Sequence, residues 1–228
     1  MQALKFNQQL MPILWDGDSL KSGIKDHVLH VVDQFIDEAG LDTLDLLDVV
    51  ITGSSAGFNW TYQSDIDVHI VFDHEAAKVT FHDDIGDVID SKVQMWNEKH
   101  NITFGGHKIE LYLQDPEEEF HGSGIYSLFH NKWLSKASNQ PPIIDEQDFK
   151  DNFNKYKQQV LDSIHSGELK QIQKTWDAIK QYRQSGLKTQ AEEFSVPNLV
   201  FKELRREGLI DRLSKHRLEL TDRQLTIV

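Results

Sequence analysis

The sequence contains no cysteine and only five prolines among its 228 residues. The lack of cysteine excludes disulfides and thiolate metal sites, so any bound metal must be held by oxygen or imidazole ligands, which favours Mg²⁺ or Mn²⁺ over structural zinc. No apolar run approaches the ~20 residues of a membrane-spanning helix, and the N-terminal stretch lacks the order of a signal peptide. We therefore expect a soluble, cytoplasmic protein with no membrane partner.

Positive charge is also scarce, with 24 Lys and Arg against 37 Asp and Glu and a net charge of −13. Residues 1–150 carry 10 basic and 26 acidic side chains, whereas residues 151–228 carry 14 and 11. An acidic surface repels nucleic acid, so only the second half is suited to bind it. The charge shift coincides with the proline pair Pro141-Pro142, which predicts a first domain of residues 1–140 and a helical region of 141–228.

Between Val49 and Ile70 the chain combines an apolar run, a Gly-Ser turn and an acidic strand. The β-branched run ends abruptly at Gly53-Ser54, which is typical of a buried strand followed by a tight turn. Asp65 and Asp67 alternate with apolar residues and therefore share one face of the next strand. Two carboxylates this close repel each other, and a divalent cation commonly makes such a pair favourable.

A later strand carries a single acid at its centre. Residues 101–104 and 107–113 flank two glycines and predict a β-hairpin. In the second run Lys108, Glu110 and Tyr112 alternate with apolar residues, so they share one face. Glu110 is thus a third carboxylate on a strand that can neighbour the first acidic strand.

The remaining periodicity is helical. Apolar residues recur at three- and four-residue intervals in two stretches of the first half, about 22–39 and 81–100, and four further helices are predicted after the proline pair, at about 148–165, 168–182, 195–208 and 210–218. Strands with helices between them, followed by a helical tail, predict an α+β fold.

These elements point to phosphate and metal chemistry. Glycine lets a backbone approach a ligand closely, and turn N–H groups with a serine hydroxyl are suitable donors for phosphate oxygens. Three carboxylates around two Mg²⁺ ions are the usual apparatus for in-line phosphoryl or nucleotidyl transfer.

Three motifs resemble the signatures of the polymerase β-like nucleotidyltransferase superfamily: Gly53-Ser54, Asp65-Ile66-Asp67-Val68 and Ile109-Glu110-Leu111. A longer pattern is similar to predicted nucleotidyltransferases carried by bacteriophages, through LWD, TGSSAGFNW, SDIDVHIVFD, ELYLQD, GIYSLFHNKW and FKELRREG. The resemblance implies a small mixed sheet flanked by helices and the transfer of a nucleoside monophosphate from an NTP to a hydroxyl. A phage-encoded protein would act in the host cytoplasm.

The resemblance also implies roles for individual residues. Gly53 and Ser54 would bind the triphosphate of the NTP, and Asp65 and Asp67 would bind Mg²⁺ or Mn²⁺. Glu110 would bind the catalytic metal and orient or deprotonate the acceptor hydroxyl.

No Lys or Arg lies between Ala39 and Lys78, so the central stretch supplies no cation for a triphosphate. We expect a downstream base to do so, with the candidates Lys132, Lys136, Lys155 and Lys157. Aromatic residues suited to stack on the base, or else to pack in the core, are Tyr126, Phe129 and Trp133.

The acceptor stays open between an RNA 3′ end, a protein side chain and a small polyhydroxylated molecule. A basic set on the last helices could bind an RNA backbone or could form a solvated face paired with neighbouring acids; it comprises Lys202, Arg205, Arg206, Arg212, Lys215 and Arg217. The alternative function is a catalytically silent nucleotide-binding or antitoxin-like interaction protein with the same fold.

Overall fold

The computed structural model describes residues 6–73, 85–118, 120, 122, 124–189 and 191–227. Within these residues the chain is α+β, as predicted, with six α-helices, a six-stranded mixed sheet and a two-stranded sheet. It divides into two compact units, one from Phe6 to Pro141 and one that begins at Pro142. Across the described ranges, no helix is both long and apolar enough to cross a membrane.

The first unit contains the sheets and two of the helices. Its elements are β1 (Trp15–Asp16), β2 (Ser19–Leu20), α1 (Ile24–Ala39), β3 (Leu46–Thr52), a 3₁₀ turn (Gly53–Ala56), β4 (Ile66–Phe72), α2 (Ile85–Lys99), β5 (Thr103–Phe104), β6 (His107–Gln114), β7 (Ile125–Ser127) and β8 (Lys132–Ser135). The sequence did not predict β1, β2 or β8, which are two to four residues long. The expected start of the second helix, at residues 81–84, lies outside the described residues.

The large sheet has the strand order β5-β6-β4-β3-β7-β8. All neighbouring strands are antiparallel except β4 and β6, which are parallel. A parallel pair needs a crossover connection, and the chain between these two strands includes α2. The two central acidic strands are therefore direct neighbours although about 40 residues separate them.

One face of the sheet is apolar and forms the core. Ile51, Val68 and Leu111 lie in register on three adjacent strands and are fully buried. They belong to one cluster with Phe35 of α1 and Ile89 of α2. Burial of each such side chain contributes about 1.5–3 kcal/mol, so the free energy of burial fixes the strand register.

The opposite face carries the polar side chains of the same strands. On β6 these are Lys108, Glu110 and Tyr112, and on β4 they include Asp67 and His69, because side chains alternate along a strand. A slip of one residue in either strand would turn its carboxylate into the core. The apolar core therefore determines where the acids stand.

The second unit is helical, as the periodicity predicted. It contains α3 (Glu146–Ser166), α4 (Leu169–Leu187), α5 (Val196–Arg206) and α6 (Leu209–Leu225) around one apolar cluster. The Asp145 carboxylate caps α3 by accepting from the backbone N–H groups of Gln147 and Asp148. The last helix ends at Leu225, seven residues beyond the predicted end at 218. Its final turns are mostly solvent-exposed, so their sequence lacks the apolar period from which a helix is predicted.

Candidate active site

Asp67 and Glu110 stand side by side on neighbouring strands. They are Cα partners in the parallel pairing of β4 and β6, and Thr52, the last residue of β3, is the partner of Asp67 on its other side. In-register residues of adjacent strands project from the same face, at a strand spacing of about 4.8 Å. The sheet thus places two of the three predicted metal ligands next to each other at the point where β3 leads into the Gly-Ser turn.

Gly53 brings the turn against the Asp67 carboxylate. Its backbone has φ +67°, in the left-handed region, and a Cβ at this position would lie only 2.0 Å from Oδ2 of Asp67. Only glycine meets both conditions without displacing the acid. Ser55 stabilises the turn by donating from Oγ to the carbonyl of Thr52, and Trp15 donates from Nε1 to the carbonyl of Ser55.

Ser54 is hydrogen-bonded to the loop that leads into the acidic strand. Its hydroxyl donates to Oγ of Ser64 at 2.9 Å, and the same Oγ accepts from the backbone N–H of Thr61 at 2.9 Å. His107 donates from Nδ1 to the Ser64 carbonyl at 2.7 Å. The half-buried Ser54 hydroxyl is therefore close to the residue that precedes Asp65.

Tyr112 lies near all three predicted acids. Its phenol donates to Oε2 of Glu110 at 2.8 Å. Burial raises the pKa of Tyr112 well above its ordinary value, and the carboxylates of Asp67, Glu110 and Asp65 raise it further. The phenol is therefore protonated at any physiological pH and acts as a hydrogen-bond donor. The residue as a whole keeps 38% of its surface exposed, so the burial that raises the pKa concerns the surroundings of the phenol.

Lys108 is a cation at this site that was not among the residues predicted from the sequence. Its Nζ lies 3.0 Å from Oε1 of Glu110 and also donates to the backbone carbonyl of Asn97 at 3.0 Å. Both carboxylate oxygens of Glu110 therefore have a partner, Lys108 on one side and Tyr112 on the other. The signal was present in the alternation of these three residues along one strand face.

The predicted ligands Asp65, Asp67 and Glu110 offer carboxylate oxygens, the ligand type that Mg²⁺ prefers. Gly53 lets the turn approach the Asp67 carboxylate closely. As they stand, no three His, Asp or Glu side chains of the described residues are grouped so that they could hold a metal ion. Metal binding at this face therefore needs Glu110 to exchange or share the hydrogen bonds it makes to Lys108 and Tyr112.

Comparisons of the chain with family models, with curated proteins and with solved structures gave no match. The roles expected of the site residues therefore rest on the sequence motifs and on the geometry of the sheet.

His69 continues the polar face one step beyond Asp67. Burial lowers the pKa of His69, so the imidazole is neutral near pH 7. Its Nδ1 lies 3.1 Å from Oε1 of Gln114, whose Nε2 donates to the carbonyls of Asp115 and Glu118. The Gln114 oxygen is thus an acceptor, and Nδ1 carries the proton. This residue supports β4 and β6 rather than adding charge to the site.

The predicted triphosphate cations differ in their surroundings. Lys132 lies on the same sheet face as Asp67, because Val50, Ser127 and Lys132 are Cα partners across β3, β7 and β8. It is exposed and three strands away from β4, about 14 Å at the usual strand spacing. Lys136 instead pairs with Asp18 at 2.6 Å. In the helical unit, Lys157 pairs with Glu207 at 2.7 Å.

Tyr126 is not brought to the site. It lies on the core face of β7, opposite Ile51, and only 4% of its surface is exposed. Its ring packs edge-on against Trp15 and Trp133, with centroids 5.0 and 5.2 Å away. Of the predicted base-stacking residues, Tyr126 and Trp133 thus belong to a packed aromatic cluster.

Two further glycines, which were not among the predicted site residues, lie against the turn. A Cβ on Gly122 would lie 2.8 Å from Oγ1 of Thr52, and a Cβ on Gly124 would lie 2.0 Å from the Ala56 carbonyl. Thr52 donates from Oγ1 to the Gly124 carbonyl at 2.9 Å. Gly122 and Gly124 therefore lie directly against the end of β3 and the Gly-Ser turn.

The basic residues of the last helices are partly paired within the helical unit. Arg206 binds both oxygens of the buried Glu203, at 3.1 and 2.5 Å, and Arg217 stacks 4.6 Å from the centroid of Trp176. Arg212 and Lys215 are exposed on α6. The predicted basic set thus combines structural partners with residues that face solvent.

Proposed function

We propose that this chain is a metal-dependent nucleotidyltransferase with the polymerase β-like fold, which moves a nucleoside monophosphate from an NTP to an acceptor hydroxyl. The observation that supports the proposal most strongly is the pairing of Asp67 with Glu110 on adjacent parallel strands, where Gly53 of the turn lies against the Asp67 carboxylate. Three sequence motifs that are far apart in the chain lie close together there. An acid that was merely solvated on the surface would not require the other two motifs beside it.

Each of the three carboxylates would have its own role in an in-line displacement at the α-phosphate. The acceptor oxygen forms a bond to the α-phosphorus, the bond between that phosphorus and the bridging oxygen breaks, and pyrophosphate leaves. Glu110 orients the acceptor hydroxyl and receives its proton, directly or through water. Asp65 and Asp67 would hold Mg²⁺ or Mn²⁺, which when bound polarises the phosphate oxygens.

The turn would bind the triphosphate. Backbone N–H groups of a glycine turn and the Ser54 hydroxyl donate to phosphate oxygens, and the hydroxyl can rotate away from Ser64 to do so. Lys132, on the same face, is the downstream cation that the register leaves available for the distal phosphates. The acceptor class stays open; RNA remains a candidate through exposed basic residues of α6.

The proposal is tested by supplying each NTP in turn, labelled at the α-phosphate, to a cell extract fractionated into RNA, protein and metabolites. Magnesium-dependent transfer of label into one fraction, with release of pyrophosphate, identifies both the donor and the class of acceptor. If no fraction is labelled with any of the four NTPs, in either Mg²⁺ or Mn²⁺, the proposed activity is wrong.

A catalytically silent nucleotide-binding or antitoxin-like protein is the second candidate. It is favoured by the engagement of both Glu110 oxygens, by Lys108 and by Tyr112. Such a protein would bind an NTP with unchanged affinity after Glu110→Gln, and it would release no pyrophosphate with any acceptor fraction. A catalyst would instead lose pyrophosphate release in the same variant.

A further inference from the structure

Lys108 is fixed at the candidate metal site from two sides. Its ammonium donates to Oε1 of Glu110 and to the Asn97 carbonyl, both at 3.0 Å. Asn97 in turn holds β6 through its side chain, which accepts from the backbone N–H of Leu111 at 3.0 Å and donates to the Leu111 carbonyl at 2.7 Å. One residue of α2 thus anchors the strand on both sides of Glu110.

The pair is only partly open to solvent. The side chains of Lys108 and Glu110 are 27% and 20% exposed. Charges in such an environment interact more strongly than in bulk water, because the effective dielectric constant is lower. A positive group at Glu110 therefore lessens the mutual repulsion of the three carboxylates when no metal is bound.

We propose that Lys108 is a positioning residue that acts as a built-in cation: it holds Glu110 in place in the metal-free protein and lowers the affinity of the site for a free divalent ion. This inference rests on the proposed function. A divalent ion at Glu110 would lie within a few ångströms of the ammonium, and like charges at that distance repel. The negative charge of a triphosphate offsets this repulsion, so the site favours a metal ion that arrives together with its nucleotide.

The test measures Mn²⁺ binding without nucleotide, by calorimetry or by the loss of the free-ion electron paramagnetic resonance signal. Lys108→Met should bind Mn²⁺ about tenfold more tightly than the parent protein, because the change removes the repelling charge. Lys108→Arg, which keeps the charge, should stay within about threefold of the parent.

Lys21→Met is the matched control. It removes the same charge from an exposed position outside the site, where the ammonium donates to the Pro12 carbonyl and where salt screens its effect on the carboxylates. Its Mn²⁺ affinity should therefore lie within about threefold of the parent protein at physiological ionic strength.

Thermal unfolding gives a second readout. Without metal, Lys108→Met should melt below the parent protein because Glu110 loses its ion pair with Lys108, and saturating Mn²⁺ should raise the melting temperature of the variant more than that of the parent. If Lys108→Met does not fold, Lys108→Gln removes the same charge and keeps a donor for the Asn97 carbonyl.

Equal or weaker Mn²⁺ binding by the uncharged variant would overturn the role of Lys108 and leave the proposed function standing. A parent protein that binds no Mn²⁺, with or without NTP, would overturn both.

Discussion

At the scale of single residues, Gly53 couples the turn to the acidic strand. Gly53 and Gly40 have nearly the same backbone angle, φ +67° and +65°, but only Gly53 has a neighbour, Asp67, at the place of a Cβ. The two glycines therefore separate the cost of backbone strain from the cost of a contact with the acid.

Gly53→Ala should lower the free energy of unfolding by about 1–3 kcal/mol more than Gly40→Ala does. Gly40→Ala itself should cost about 1–2 kcal/mol, because each alanine must adopt the left-handed conformation. Urea denaturation measures both values. Equal losses in the two variants would show that Gly53 does not approach Asp67.

The hydroxyl of Tyr112 contacts Glu110, one of the predicted metal ligands. Tyr112→Phe keeps the ring beside His69 but removes the hydrogen bond to Glu110. Loss of such a supporting bond at a metal site lowers activity by about 10–100-fold, so kcat should fall by about tenfold while stability changes little. Steady-state kinetics of pyrophosphate release measures this effect.

Tyr62→Phe is the control, since Tyr62 is 84% exposed. It should keep the parent kcat. A Tyr112→Phe variant with undiminished kcat would mean that Glu110 needs no support from the phenol.

At the scale of elements, the position of Glu110 depends on how the edge of β6 is held. Strand β5 pairs with β6 only at His107 and Lys108, and farther along the strand the Asn97 amide takes the place of a neighbouring strand at Leu111. An edge with unpaired backbone groups frays or binds other chains. Helix α2 thereby completes the sheet next to the site.

Asn97→Ala should lower the free energy of unfolding by about 2 kcal/mol, because it removes two hydrogen bonds and leaves the Leu111 backbone groups without this partner. Gln94→Ala on the same helix, whose side chain donates to the exposed Glu98, should cost less than about 0.5 kcal/mol. Urea denaturation gives the energies, and faster amide exchange at Leu111 locates the change. Unchanged exchange at Leu111 would contradict the edge role.

The sequence was sufficient to predict the central strands and their polar faces. Alternation assigns Asp67 and Glu110 to polar faces, and the apolar residues between them are indeed fully or almost fully buried. Alternation places Lys108 on the same strand face as Glu110, but their ion pair depends on the rotamers of two long side chains, which the sequence does not give. The contact of Asn97 with β6 is likewise not predictable, because an asparagine within a helical pattern does not indicate that a strand edge lies beside it.

At the scale of the whole molecule, the division into an acidic and a more basic part was visible in the charge distribution. The helical unit also follows its apolar period, whereas the short strands β1, β2 and β8 have too few residues to show one. The pairing of Arg206 with the buried Glu203 was beyond the sequence, since interspersed acids indicate pairing without naming partners.

The exposed basic residues of α6 allow the RNA-binding hypothesis to be tested through the salt dependence of binding. Replacing Arg212 and Lys215 together by alanine should weaken RNA binding at every sequence and reduce the slope of log K against log salt by about 1–2. Replacing Glu219 and Asp222 of the same helix by alanine should strengthen binding. Fluorescence anisotropy over a salt series measures the slopes, and identical slopes for the parent and the double variant would exclude α6 as the binding surface.

We propose above that Asp67 and Glu110 form a metal-dependent nucleotidyl-transfer site. Its most direct measurement is pyrophosphate release from the labelled NTP and acceptor fraction, in Mg²⁺, by the parent protein, Asp67→Asn and the control Asp42→Asn, which changes an exposed acid. Asp67→Asn should keep its fold by circular dichroism and lose at least about 100-fold in rate, since even supporting residues of metal sites cost that much. Asp42→Asn should match the parent. Pyrophosphate release by folded Asp67→Asn at the parent rate would contradict the account.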